Sequence, residues 1–246
     1  MGLVVPAVLP VSRAELERRL SFFADIPSIT RVQIDVVDGH LASPASWPYN
    51  AGDWKLETGD WKKMRSEGYT LPKLEQLEYE IDLMCLDAAE AAGDWLAAGA
   101  SRLTFHIETA VATPNLLSTI RYRYGGGDDF ALAHLLVLGL ALNVETDLRT
   151  AEPCLLGADY VQFMGIAKIG TQGQPFDARV LDQIRTFRAR HPNIPMQVDG
   201  GVSLENARHL FALEVSSIIV GSAILEAKDP TAAVRAFQAL ESPYGV

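Results

Sequence analysis

The chain has 246 residues, 48% of them hydrophobic, and a formal net charge of −10 at pH 7. That length suits one α/β barrel of about 250 residues, and the acidic balance argues against a nucleic-acid partner, which needs a basic face. The longest apolar stretch, FALAHLLVLGLALN, is shorter than a bilayer span and contains His134 and Asn143, so no membrane partner is expected.

Near the start, the segment GLVVPAVL reads as a strand without the basic leader or cleavage site of a signal peptide. Ser12 is placed to cap a helix over SRAELERRLSFFA, with Glu15 at the capping-box position and Leu16, Leu20 and Phe23 forming an apolar stripe. RVQIDVVDGH then reads as a second strand that runs into Asp35, Asp38, Gly39 and His40. An excursion follows from Leu41 to about Glu78 and holds Trp47, Trp54 and Trp61, three of the four tryptophans. Tryptophan left in water costs about 25 cal/mol per Å², so the excursion is expected to be a lid over a pocket or a patch against a second subunit. Subunit packing is favoured, and with it a homodimer.

EIDLMCL and RLTFHIE read as strands three and four. YRYGGGDDF is a Gly-rich turn but not a P-loop, since no GKS or GKT follows, and no organic cofactor is expected. LGLALN and YVQFM supply strands five and six, and the loop AKIGTQGQ leads to a helix over DARVLDQIRTFRARH that breaks at Pro192. MQVDGGV is strand seven, Ser203 caps LENARHLFAL, IIVGSAI is strand eight, and DPTAAVRAFQAL closes the chain with Pro230 in its first turn. This alternation of strand and helix predicts one parallel-barrel domain over 1–246, with enough apolar residues for a barrel interior and a helix-facing layer. Cys85 and Cys154 lack metal-ligand spacing and read as buried, reduced thiols, which implies a soluble, cytoplasmic protein.

Short apolar strands ending in Asp or Gly deliver polar groups to one rim of a parallel barrel, where the active site lies. Gly200 and Gly201 after strand seven, with Gly221 and Ser222 after strand eight, lack Cβ atoms where backbone N–H groups must approach an anion closely. Loops in these places commonly bind phosphate.

Taken in order, VPAVLP, QIDVVDGH, EIDLMCL, RLTFHIE, LGLALNVETD, YVQFMGIAKIGTQGQPF, MQVDGGV and IIVGSAI resemble the ribulose-phosphate 3-epimerase family over nearly the whole chain. The resemblance implies a (β/α)8 TIM barrel of the ribulose-phosphate-binding type and an isomerase that inverts a carbinol carbon beside a ketone through an ene-diolate. It places Asp35 and Asp199 as the two acid/base groups. His40, Met84, Met164, Gly170, Gly173, Gln174, Gly200, Gly201, Gly221 and Ser222 would contact a phosphorylated sugar.

The family also holds a divalent metal with two aspartates and two histidines. Its His-x-Asp reads here as Gln33-Ile34-Asp35, and its His-Leu-Met as Asp82-Leu83-Met84. The remaining set, Gln33, Asp35, Asp82 and Asp199, is all oxygen, which suits Mg²⁺ or Mn²⁺ over Zn²⁺ or Fe²⁺; without a cation, the carboxyls would share a proton. The first-strand Ser of the family is Ala7, and its NPGFGGQ-like loop reads AKIGTQGQ with Lys168 added. Two alternatives stay open: a phosphosugar lyase or decarboxylase on the same scaffold, although the DxKxxD pattern of that group is absent, and a non-catalytic phospholigand-binding barrel.

Overall fold

The structure is a computed structural model that describes residues 2–49, 59–110, 115–125 and 136–240. Its elements follow in chain order: β1 (Leu3–Val8), α1 (Arg13–Ala24), β2 (Arg31–Val37), α2 (Gly59–Ser66), β3 (Glu78–Met84), α3 (Ala88–Ala97), β4 (Arg102–His106), α4 (Ile107–Ala110) and α5 (Leu116–Tyr124). β5 (Val137–Leu142), α6 (Leu148–Ala151), β6 (Tyr160–Met164), α7 (Arg179–Arg190), β7 (Met196–Asp199), α8 (Leu204–Ala212), β8 (Ser217–Val220), α9 (Ser222–Leu225) and α10 (Pro230–Gln238) complete them. The eight strands close into one parallel barrel in sequence order, β8 returning to β1.

Residue alternation along each strand divides the barrel wall into two faces. On β2, Val32, Ile34 and Val36 point outward into the main core, which also takes in Leu16, Leu20 and Phe23 of α1 and Val180, Ile184 and Phe187 of α7. The alternate residues Gln33 and Asp35 are buried as well, and face inward. Helix starts agree with their sequence signals: Ser12 accepts from the Glu15 amide, and Ser203 with Asn206 forms a complete capping box.

The barrel interior is more polar than the composition suggests. Apolar inward residues form two small clusters, Val5, Ala7 and Ile219 on β1 and β8, and Val37, Met84, Ala141 and Met164 toward the C-terminal ends of their strands. Other inward positions carry a hydrogen-bonded chain. Arg102 donates to Glu80 at 3.0 Å, Tyr160 donates to Glu80 at 2.9 Å, and Gln197 bridges Glu80 and Gln162. Gly139 makes room for the Tyr160 ring, since a Cβ there would meet it at 2.2 Å. A buried charge is tolerated only when paired and hydrogen-bonded, and the Glu80 carboxylate is both.

The tryptophan excursion corrects the sequence reading. Trp47 and Trp61 are buried within this chain and pack edge-on against Trp95 of α3, with ring centroids 5.9 and 6.2 Å apart. Tyr49 stacks edge-on to Trp61, and Tyr69 to Trp47. The cover that these rings require is therefore the chain's own helix layer, so they call for neither a lid nor a second subunit. Trp54, the GGG turn at 125–127 beyond Gly125, and the FALAHL part of the apolar stretch before β5 lie outside the described residues. Among the described residues, no helix is long and apolar enough to cross a membrane.

Candidate active site

The carboxylates of Asp35, Asp82 and Asp199 meet at the C-terminal end of the barrel, each offering an oxygen within 4.8 Å of the others. Strand register explains part of this: Asp35 and Asp82 are direct neighbours on β2 and β3, while Asp199 ends β7 across the barrel mouth. Gln33 lies one inward position below Asp35 on β2. Its Nε2 donates at 2.8 Å to Asp35 Oδ1 and at 2.8 Å to Asp199 Oδ2, joining the two carboxyls through one amide.

Asp82 is held from the other side. His106 Nε2 lies 3.0 Å from its Oδ1, and Gln162 Nε2 donates to its Oδ2 at 3.0 Å. Burial alone would lower the His106 pKa, but the adjoining Asp82 carboxylate and Glu108 outweigh it and raise it to about 10. Burial pushes Asp199 up to about 7, with the Asp82 charge adding to the shift. Asp35 is raised well above the carboxylate range by burial and then by its two acidic neighbours. The site thus favours a retained proton between Asp35 and Asp199, while Asp82 is held by His106 and Gln162.

Above the carboxyls, Met84, Met164, Gly170, Gly173, Gln174, Gly200, Gly201, Gly221 and Ser222 line one cavity together with Asp35 and Asp199. Sequence reasoning named all of them. Gly201 has φ +66°, and a Cβ on it would lie 2.7 Å from the Phe176 backbone, so the β7 turn and the loop after β6 pack too closely for a side chain. Gln174 uses its amide on the Lys168 and Thr171 carbonyls, holding the loop's own shape.

One expected residue, His40, lies elsewhere. His40 is exposed and does not line the cavity; its neighbour Asp38 accepts the amides of His40, Leu41 and Leu86 and thereby pins the β2 turn to β3. Lys168 is exposed and is likewise absent from the lining. Sequence reasoning missed Gln162, Gln197, Glu80 and Gln172. The first three had a signal: each stands two residues before a rim residue, at Met164, Asp199 and Asp82, and so faces inward in a strand of period two. Gln172 reaches from the loop to 3.5 Å from the Ala7 carbonyl and lies against Gly221. It stands where the GFGGQ-type loop carries glycine, a difference visible in GTQGQ.

The residues present fit a divalent cation. Three buried carboxylate oxygens converge, and each carboxylate retains lone pairs after its hydrogen bonds. Gln33 Oε1 is fully buried and without a hydrogen-bond partner, an acceptor beside the cluster. The donor set contains oxygen where softer metals would want nitrogen or sulfur.

A closed parallel barrel with acidic groups and glycine turns gathered at its C-terminal rim places the chain in the (β/α)8 barrel class, whose active sites lie at that rim. The ribulose-phosphate 3-epimerase family model matches residues 69–225, and the chain belongs to that family. It is 27% identical over 235 residues to ribulose-phosphate 3-epimerase of Escherichia coli (strain K12), covering 92% of this chain and 90% of that one. A ribulose-phosphate 3-epimerase from Aquifex aeolicus is 30% identical over 106 residues, 42% of this chain and 47% of its own. Among solved structures, 3-hexulose-6-phosphate synthase from Salmonella typhimurium superposes with a TM-score of 0.65 at 17% identity, covering 98% of both chains. KGPDC from Streptococcus mutans gives 0.64 at 16% identity, covering 98% of this chain and 97% of that one. At such identities these two establish the shared barrel fold.

Proposed function

We propose that this protein is a phosphosugar epimerase or isomerase in which Asp35 and Asp199 pass a proton across a carbinol carbon next to a ketone. The observation that carries the reading is the pairing of these two buried carboxyls through the Gln33 amide, with a pKa raised for both. Inversion needs one ionised group and one protonated group at the start of the reaction. Two carboxyls that cannot both ionise in a buried site provide that combination.

The ionised partner takes the carbinol C–H proton, and the electron pair left on carbon moves into the adjoining C–C bond to give an ene-diolate. The protonated partner returns its proton to the opposite face, so that the substrate is inverted and the two carboxyls have exchanged states. Met84 and Met164 supply polarizable, water-excluding walls, and the turns at Gly200, Gly201, Gly221 and Ser222 receive the phosphate with backbone donors. A hard dication, Mg²⁺ or Mn²⁺, held by Gln33, Asp35, Asp82 and Asp199, would stabilise the charge that develops on the ene-diolate oxygens. Gly170, Thr171, Gln172, Gly173 and Gln174 place the loop after β6 in the wall of the cavity.

The test is incubation of ribulose 5-phosphate with the protein in D2O, followed by NMR. Deuterium should enter at the inverted carbon with the wild type, whereas Asp35→Asn and Asp199→Asn should each lower exchange by about 10²-fold or more. No exchange with any pentulose or hexulose phosphate would leave the phospholigand-binding reading as the better one. A lyase reading has less support. Asp82 and Asp87 keep the outer positions of a DxKxxD pattern, but Met84 stands at its lysine, and no lysine lines the cavity among the described residues.

A further inference from the structure

We infer that Gln33 is a two-state ligand, whose side-chain amide holds the carboxylates together while no cation is bound and turns over to present its oxygen when one binds. The inference rests on the reading of Asp35, Asp82 and Asp199 as a cation site, and it goes beyond it by assigning a conformational role to the residue that stands in place of an imidazole.

The geometry requires the two states. Both hydrogens of the Gln33 amide are committed, one to Asp35 Oδ1 and one to Asp199 Oδ2, each with a donor–acceptor distance of 2.8 Å. The oxygen of the same amide is buried and unpartnered. A half-turn about the last side-chain bond would exchange the two atoms, bringing Oε1 to hydrogen-bond distance from two carboxylate oxygens. The single proton retained by the pair could satisfy only one of these two contacts, so the other would set two acceptors against each other unless a cation lay among them. The amide-nitrogen-inward arrangement is therefore the one suited to a site without a cation, since a carboxamide nitrogen has no lone pair to offer a metal. The oxygen-inward arrangement is suited to a loaded site and relieves Asp35 and Asp199 of the donor that competes for their oxygens.

An imidazole at this position would have no such choice, because its ring nitrogen is either a ligand or a donor at the same point in space. A glutamine makes cation binding compete with two hydrogen bonds to carboxyl oxygens, one of them to the ionised partner of the pair and so charge-assisted. The consequence is a site that is stable when empty and releases its cation readily. Removing the competing donor while keeping the oxygen ligand should tighten the site.

The experiment follows the Gln33 side-chain NH2 pair by ¹H–¹⁵N NMR of the full chain, first in chelator and then through a titration with Mg²⁺, which is diamagnetic. The pair is assigned by its loss in Gln33→Glu, with Gln33→Met as a second variant should the first fold poorly. In chelator both protons should resonate downfield and exchange slowly with water. Added Mg²⁺ should move both upfield and speed their exchange in proportion to saturation. Gln33→Glu should also bind Mn²⁺ roughly tenfold or more tightly than the wild type by calorimetry, a change of the size expected for a residue at a metal.

Stoichiometric Mg²⁺ binding with the Gln33 resonances unmoved would overturn the inference, as would failure of any dication to bind at millimolar concentration. Neither outcome depends on turnover. A normal amide response together with no deuterium exchange would instead remove the proton-transfer reading and leave the ligand switch standing.

Discussion

At the scale of single residues, the site is an arrangement of charges that burial would forbid one by one. Asp82 is buried but faces the His106 ring and the Gln162 amide, while Asp35 and Asp199 share the Gln33 amide. Two pH windows follow. The Asp199 pKa is raised to about 7 from the ordinary aspartate value of 3.8, so its contribution to stability is complete below the lower value and is lost as pH rises through the upper. His106 is raised to about 10 from 6.5, and its contribution is full below 6.5 and disappears as pH rises through about 10. In chelator, urea unfolding should therefore show stability falling twice on the way to alkaline pH. Asp199→Asn should remove the first fall and His106→Gln the second; a flat profile in the wild type would contradict the buried pairing. His106→Leu, which leaves Asp82 without its cation, should cost about 3–5 kcal/mol.

At the scale of elements, the binding face is set by the meeting of the loop after β6 with the turns after β7 and β8. Gly201→Val would drive a side chain into the Phe176 backbone at a position where φ is +66°. The variant should lose affinity for inorganic phosphate and for ribulose 5-phosphate alike, measured by calorimetry on protein with an unchanged circular dichroism spectrum. Gly173→Ala is the matched control, because φ there is +77° but no atom lies within 4 Å of the added Cβ. It should cost about 1–2 kcal/mol of backbone strain and leave phosphate affinity largely intact. Equal losses of affinity in both variants would show that loop conformation, rather than close approach, governs binding.

At the scale of the whole molecule, the described residues of the excursion between β2 and β3 contribute Trp47, Tyr49, Trp61 and Met64 to the core. Its path begins at the rim, where Ser46 bonds to the Val37 amide and the Asp35 carbonyl, and then leaves for the helix layer through Trp47 and Trp61. Trp61→Ala should destabilise the fold by about 3–5 kcal/mol, as emptying a buried aromatic site does. Deleting Pro48 to Lys63 should remove cooperative thermal unfolding altogether. A folded, cooperative deletion variant would restore the view of this segment as an accessory patch.

The sequence alone determined the barrel and much of its rim. Eight short apolar runs, several of them separated by amphipathic helices, leave a parallel barrel as the simplest way to bury every strand. The motifs QIDVVDGH, DLM, VDGG and VGSA also carry the family resemblance, and Asp35, Asp82 and Asp199 are legible in them as acidic residues within or at the end of apolar strands. Tertiary structure decided what those residues meet. Hydrogen bonds such as Gln33 to Asp199 and Gln197 to Glu80 join residues 166 and 117 positions apart, and no local pattern encodes a partner at such range. The same reason governs the tryptophans: composition shows that Trp47 and Trp61 require cover, but only the packing of α3 shows that Trp95 provides it. The placement of His40 outside the cavity was likewise settled by the turn at Asp38, whose backbone hydrogen bonds aim the chain outward one residue after the rim.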